Sequence, residues 1–285
     1  MEISAKDVMD LRKATGMGMM ECKKALLEAE GDYDGAVELL RKRGLKAAEK
    51  KADRATSEGL IGLAHASDGS RGTMLLVLCE TEPVKNTPMF QEFVALATKL
   101  ADEKAPKDLD ALLALPWPGP DGGTVDTALK SLIGKIGENM RVSSYRRLGA
   151  KQGVVGAYVH HDKKTGAMVA LEGAKGPEIA EFAKQLCMHI VFSKPSALDR
   201  SEIAAAEVES ELAFLRQQVA DDETMKGKPA QAIEGIVQGR LSKNFFGGRV
   251  LTEQPWFSDN SKRVADHLKT HGVKVTGFAF FQPGA

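Results

Sequence analysis

At 285 residues the chain is long enough for roughly two ordinary domains, each with a buried core of its own. Lys plus Arg and Asp plus Glu both total 39, so no global field exists to hold a nucleic acid or an anionic membrane, and such binding would have to be local. Cys22, Cys79 and Cys187 are odd in number and far apart, against a disulfide framework or a zinc site, and nothing resembles a leader or a span of ~20 apolar residues. A soluble, unexported, cytoplasmic protein is expected.

The first 55 residues read as three short helices. Ser4 and Asp7 form a capping box, Val8 and Leu11 share a face, and Thr15-Gly16 stops the first helix. The second follows Gly18, turns Cys22, Ala25, Leu26 and Ala29 inward, and ends at Gly31. Asp32 or Asp34 opens a third, which presents Ala36, Val37, Leu39 and Leu40 before Gly44. A module this small is marginal alone and should dock on a partner or on the rest of the chain. Residues 41–54 carry seven basic and two acidic side chains without aromatic interleaving, which reads as a solvated linker helix in preference to a nucleic-acid patch.

An internal repeat follows. Gly59-Leu-Ile-Gly62 matches Gly153-Val-Val-Gly156, and the apolar run from Gly72 matches that from Gly166; both pairs stand 94 positions apart. Each copy reads as a strand, a polar turn and a second apolar strand, then a helix opened by proline, Pro88 to Leu100 and Pro177 to Phe192. The breaker-rich stretch 115–123 is a loop, a helix runs from Thr124 to about Met140, and Arg141 to Leu148 adds a third strand. Helices from Leu198 to about Gln218 and Pro229 to Lys243 form a helical hairpin, and Gly277 to Phe281 closes the chain as a strand. The fold class is α+β: a module at 1–55, then two tandem related subdomains, 56–150 and 151–285, each with a small antiparallel sheet, the hairpin at about 198–243 being inserted in the second.

Constellations for catalysis are hard to find. Thr15-Gly-Met-Gly18 lacks a preceding strand, and there is no phosphate-loop motif. His65, His160, His161, His189, His267 and His271 show no metal-binding spacing, and adjacent His160 and His161 would point to opposite faces. Cys79 reads as a buried structural thiol in preference to a nucleophile. No cofactor and no metal are expected.

Several separated motifs carry a resemblance. They are Leu11 to Leu26 with Met19-Met20, Gly134-Lys-Ile-Gly-Glu-Asn-Met140, Gly156 to His160, Met188-His189, Glu234 to Lys243 and Leu251 to Pro255. In this order, over nearly the whole length, they resemble the bacterial translation elongation factor Ts family. The resemblance implies a UBA-like three-helix module, a tandem core repeat, and exchange activity without bond-making catalysis. The factor would bind elongation factor Tu carrying GDP, disturb its magnesium and phosphate site, and release the nucleotide; no membrane and no direct nucleic acid enter.

Carried over position by position, Arg12, Met19, Met20 and Lys23 would grip a helix of the partner's GTPase domain. By spacing, Met19 shares a face with Cys22 and Leu26, so whether one methionine is core stays open. The family's exchange loop reads Thr-Asp-Phe-Val; here the positions are Thr81, Glu82, Pro83 and Val84. Proline thus replaces an aromatic wedge whose burial would stabilise by roughly 1.5 to 3 kcal/mol, an expected loss of about one to two powers of ten in exchange rate. His189 and Phe257 match further partner contacts, with core packing as the competing reading for both. The runner-up is a diverged binder of the GTPase or of a nascent chain without exchange activity.

Overall fold

A computed structural model describes residues 3–119 and 122–284. Met1 and Glu2 of the amino terminus, Pro120 and Asp121 of the breaker-rich loop, and Ala285 lie outside the described residues. Helices α1 (Ala5–Thr15), α2 (Met19–Glu28) and α3 (Tyr33–Glu49) come first. Ser4 and Asp7 form the capping box, and Gly16 ends α1 in the left-handed region at φ 71°. Val8, Leu11, Cys22, Ala25, Leu26, Ala36 and Leu40 make the small core between the three helices.

The third helix does not stop at Gly44; it runs five residues further, and the reason lies in α7, described below. Strands β1 (Glu58–His65) and β2 (Arg71–Cys79) follow, then a helical turn α4 (Glu82–Lys85) and the long helix α5 (Pro88–Lys104). After α6 (Leu109–Leu113), α7 (Val125–Ile136) leads into β3 (Met140–Gly149). Gly137 ends α7 in the left-handed region, so the helix is shorter than the reading to Met140. Where α7 crosses α3, Gly134 faces Gly44: a Cβ built on Gly134 would stand 2.6 Å from Gly44 Cα, whereas one on Gly44 would meet nothing closer than 3.8 Å. Glycine at 44 is therefore a site of close backbone approach and not a stop signal. Ala48, at the far end of α3, joins the core under the first sheet, so the three helices are docked on the rest of the chain.

The second copy repeats the plan. Strands β4 (Gly153–Val159) and β5 (Gly166–Glu172) precede α8 (Pro177–Ser193). Helices α9 (Ala205–Asp221) and α10 (Ala230–Arg240) form the hairpin, continued by a π turn (Leu241–Phe246) and the single turn α11 (Gly247–Arg249). A small ribbon of β6 (Pro255–Trp256) and β7 (Asp259–Arg263), helix α12 (Val264–Thr270) and β8 (Lys274–Phe281) end the chain. The ribbon, α6 and α12 were not foreseen, since each is too short to show a periodicity.

The two sheets run β1-β2-β3 and β4-β5-β8. Gly59 opposes Leu78 and Gly62 opposes Leu75; 94 positions on, Gly153 opposes Glu172 and Gly156 opposes Val169. The bulge also recurs, at Leu76/Val77 and again at Ala170/Leu171. Gly62 lies under Thr98 and Val94 of α5, and Gly156 under Ala183 of α8, so in each copy a missing side chain lets the helix settle on the strand. The sheets pack back to back through Ile61, Met74, Leu76, Leu78, Leu148, Val155, Met168 and Ala170. The outer face of the first sheet carries α5 and α7, and that of the second carries α8 and α12. The hairpin keeps a core of its own, built on Leu215, Val219, Val237, Leu241, Phe245, Phe246 and Val250.

The asymmetry at the α3–α7 crossing is testable by chemical denaturation. Gly44→Ala should be neutral or stabilising by up to about 1 kcal/mol through helix propensity. Gly134→Ala should destabilise by about 1 to 3 kcal/mol, because its methyl has only backbone to push against. Equal effects would show that the two helices are not held at this glycine pair.

Candidate functional site

The amino-terminal surface is shaped by the turn between α1 and α2. Thr15 donates its hydroxyl to Leu11 O at 2.7 Å, Met17 is half-buried and anchors the loop, and α2 then starts directly with Met19 and Met20. Cys22, Ala25 and Leu26 take the inward face. Both methionines are left outside, Met19 at 39% and Met20 at 65% exposure, which closes the question of whether one belongs to the core. Arg12 and Lys23 are exposed on the same two helices. Next to this turn stands an unforeseen group: a Cβ on Gly16 would lie 3.9 Å from the sulfur of Met89, itself exposed at the start of α5. Soft, adaptable side chains thus continue from α2 onto the first core unit.

Residues 81–84 are a helical turn and not the loop expected. Proline fits the first turn of a helix, where its missing N–H costs nothing, and Val84 is buried in the core under the first sheet. Thr81, Glu82 and Pro83 remain exposed. Glu138, just past the end of α7, holds this turn: one carboxylate oxygen accepts from Thr81 N–H at 3.0 Å and the other from the Thr81 hydroxyl at 2.6 Å. Neighbouring Asn139 is buried, and its amide donates to Ala52 O at 3.1 Å and Arg54 O at 2.7 Å. The segment after the three helices is thereby tied to the same corner.

Below the turn, Lys85 is buried between Glu58 at 3.4 Å and Glu82 at 3.1 Å. Burial opposes its ammonium, yet the two carboxylates outweigh that cost and its pKa lies above the ordinary lysine value. Glu58 also accepts from Lys164 of the second copy at 2.8 Å, and this hydrogen bond, against burial, holds its carboxyl below the usual range. The Cys79 thiol, at the end of β2, donates to Thr81 O. Burial, with the charge of Glu138 adding, pushes it up to about 11, so it is an inert structural thiol.

The second set of expected contacts lies elsewhere, in the outer helix layer of the second sheet. His189 is corrected by the structure: it is fully buried and reaches no surface. It follows Phe182 by seven residues and Leu186 by three on α8, so it shares their inward face, a spacing that was readable in advance. Its Nε2 donates to Gln254 Oε1 at 2.9 Å, while the Gln254 amide donates to Ser193 O at 3.1 Å and Gly248 O at 2.9 Å. The ring stacks on Trp256 with centroids 5.3 Å apart. Trp256 is core, and Phe257, at 37% exposure, covers His189 from the solvent side. The structure therefore brings the methionine turn and α5 together, keeps the 81–84 turn on that same unit, and leaves Phe257 apart. The roles of Glu138, Asn139 and Glu58 had no sequence signal, because their partners lie 27 to 106 positions away.

The described residues include no helix long and apolar enough to cross a membrane. The fold and its surfaces define a class: a tandem-repeat α+β protein with a three-helix module docked at its front. The family model described as elongation factor TS matches residues 80–285. An elongation factor Ts of Alkalilimnicola ehrlichii is 40% identical over 284 residues, covering 100% of this chain and 93% of that protein. One of Amoebophilus asiaticus is 39% identical with full coverage of both chains, and one of Gluconobacter oxydans is 40% identical over 99% and 92%. The chain belongs to the elongation factor Ts family, and so to the factors of translation elongation.

Burial of His189 gives a pH dependence with a definite sign. The unfolded imidazole titrates near its ordinary 6.5, and in the fold burial, working against the Gln254 hydrogen bond, lowers that value. The unfolded chain then binds more protons below 6.5, so this contribution is complete above that pH and is lost as pH falls through the window beneath it. Urea midpoints between pH 7 and 5 should drop more steeply for the native chain than for His189→Asn. Parallel curves would mean that His189 does not titrate with unfolding.

Proposed function

We propose that this chain is a guanine-nucleotide exchange factor for elongation factor Tu, acting in the cytoplasm by binding and without catalysing bond-making. The observation that carries the reading is the exposed turn at Glu82 and Pro83, held from behind by Glu138, in a molecule that also exposes Met19 and Met20 at the start of α2. Arg12, Met19, Met20 and Lys23 grip the GTPase. Glu82 and Pro83 press against its magnesium and phosphate site, Thr81 and Val84 hold that turn from behind, and Phe257 makes a separate contact over the buried His189.

The physics is linkage. A factor and a nucleotide that share one GTPase at a cost weaken each other by the same free energy, and every ~1.4 kcal/mol is tenfold in affinity. Magnesium is the effective lever, because it neutralises the phosphates and joins them to the GTPase's own side chains. A second reading, a binder of the GTPase without exchange, is favoured by one observation, the replacement of the family's aromatic residue by Pro83.

Release of labelled GDP from elongation factor Tu separates the two: the chain should accelerate it, and a flat rate with retained binding would leave only the binder. Met19→Ala with Met20→Ala should raise the concentration needed by about ten- to a hundredfold, from the loss of buried methionine surface, with the saturating rate little changed. Pro83→Phe restores the wedge and should raise the saturating rate about tenfold or more; an unchanged rate would show that position 83 is not where the GTPase is pried open.

A further inference from the structure

We propose that Glu138 is a positioning residue for exchange: its carboxylate fixes how far Glu82 and Pro83 stand out from the surface, so that the turn meets the GTPase already rigid. This deepens the exchange reading and rests on it. The internal repeat supplies the control. Strands of the two copies are related by 94 positions, but the helices that follow, opened by Pro88 and Pro177, are related by 89. Between its second strand and its helix the first copy thus has eight residues, 80–87, against four in the second, and the longer connection holds the 81–84 turn. In the second copy residues 173–176 make the same connection with no helical turn.

The fold therefore closes this joint without the inserted turn, and both Thr81 hydrogen bonds to Glu138 hold something the architecture does not require. Charge-assisted bonds of this kind are strong, and here both carboxylate oxygens are used on one residue. Pro83 gives the clamp its purpose. Without an aromatic ring to insert, the turn can displace the partner only with backbone and a short stiff side chain, and a mobile backbone would yield instead of pushing.

The test uses the full chain and elongation factor Tu loaded with labelled GDP, followed to saturation. Glu138→Ala should lower the saturating release rate about tenfold and change the half-saturating concentration by less than about twofold, because the methionine surface is untouched. Glu138→Gln, which keeps an oxygen acceptor, should recover part of the rate. Thr81→Val with Glu138→Ala should be no slower than Glu138→Ala alone, as expected of two residues acting through one contact. Glu138 is only partly buried, and should Glu138→Ala fail to fold, Thr81→Val alone removes one of the two bonds and should lower the saturating rate in the same direction by a smaller factor, again without weakening binding. A native saturating rate in Glu138→Ala, or a loss expressed purely as weaker binding, overturns the proposal. A native chain that leaves GDP release flat overturns the exchange reading instead, and is seen in the control before any variant is compared.

Discussion

Everything in this molecule is arranged around the contact between the backs of two small sheets. Met74, Leu76 and Leu78 of β2 meet Met168 and Ala170 of β5, and removal of that surface from water is the term that joins the two copies. Backbone bonds sew the seam: Val155 N–H donates to Gly69 O and Ile61 N–H to Lys163 O, both at 2.7 Å. Because the backs are taken, α5 and α7 cover the outer face of the first sheet and α8 and α12 that of the second. The methionine surface and the 81–84 turn therefore belong to one side of the molecule, and His189, Trp256 and Phe257 to the other.

The same contact explains which parts of the fold were legible in the sequence. A strand with both faces covered carries an unbroken apolar run, and Met74 to Cys79 and Ala167 to Leu171 are such runs, so the repeat, its strands and the proline-opened helices could be read directly. Register and bulge then follow the 94-residue spacing. What could not be read is what depends on position in space. Gly44 has the local look of a helix terminator and is instead a crossing point, a meaning that Gly134 alone provides, 90 positions later. Residues 81–84 were expected as a loop from the resemblance, and Pro83 does not discriminate, since proline suits both a turn and a first helical position.

The candidate site was legible in part. Exposure of Met19 and Met20 follows once Cys22, Ala25 and Leu26 have claimed the inward face of a helix only ten residues long. His189 was misplaced although the spacing from Phe182 pointed inward; its polar ring is tolerated there because Gln254 satisfies it and Trp256 stacks on it. Glu138 and Asn139 stood inside a motif whose residues could be matched but whose work could not. Together they tie the end of α7 to the turn at 81 and to the chain leaving the three helices.

The separate core of the helical hairpin has a thermodynamic consequence. A cluster that shares few apolar neighbours with the sheets adds little to their cooperativity, so it can open at lower free energy than the whole. The Gln254 amide, bonded to Ser193 O on α8 and Gly248 O beyond the π turn, is one of the links across which such opening would have to stop. On that ground the hairpin's amides would exchange with solvent while the strands stay protected, and melting of this chain would begin as fraying of an appendage before the sandwich of sheets comes apart.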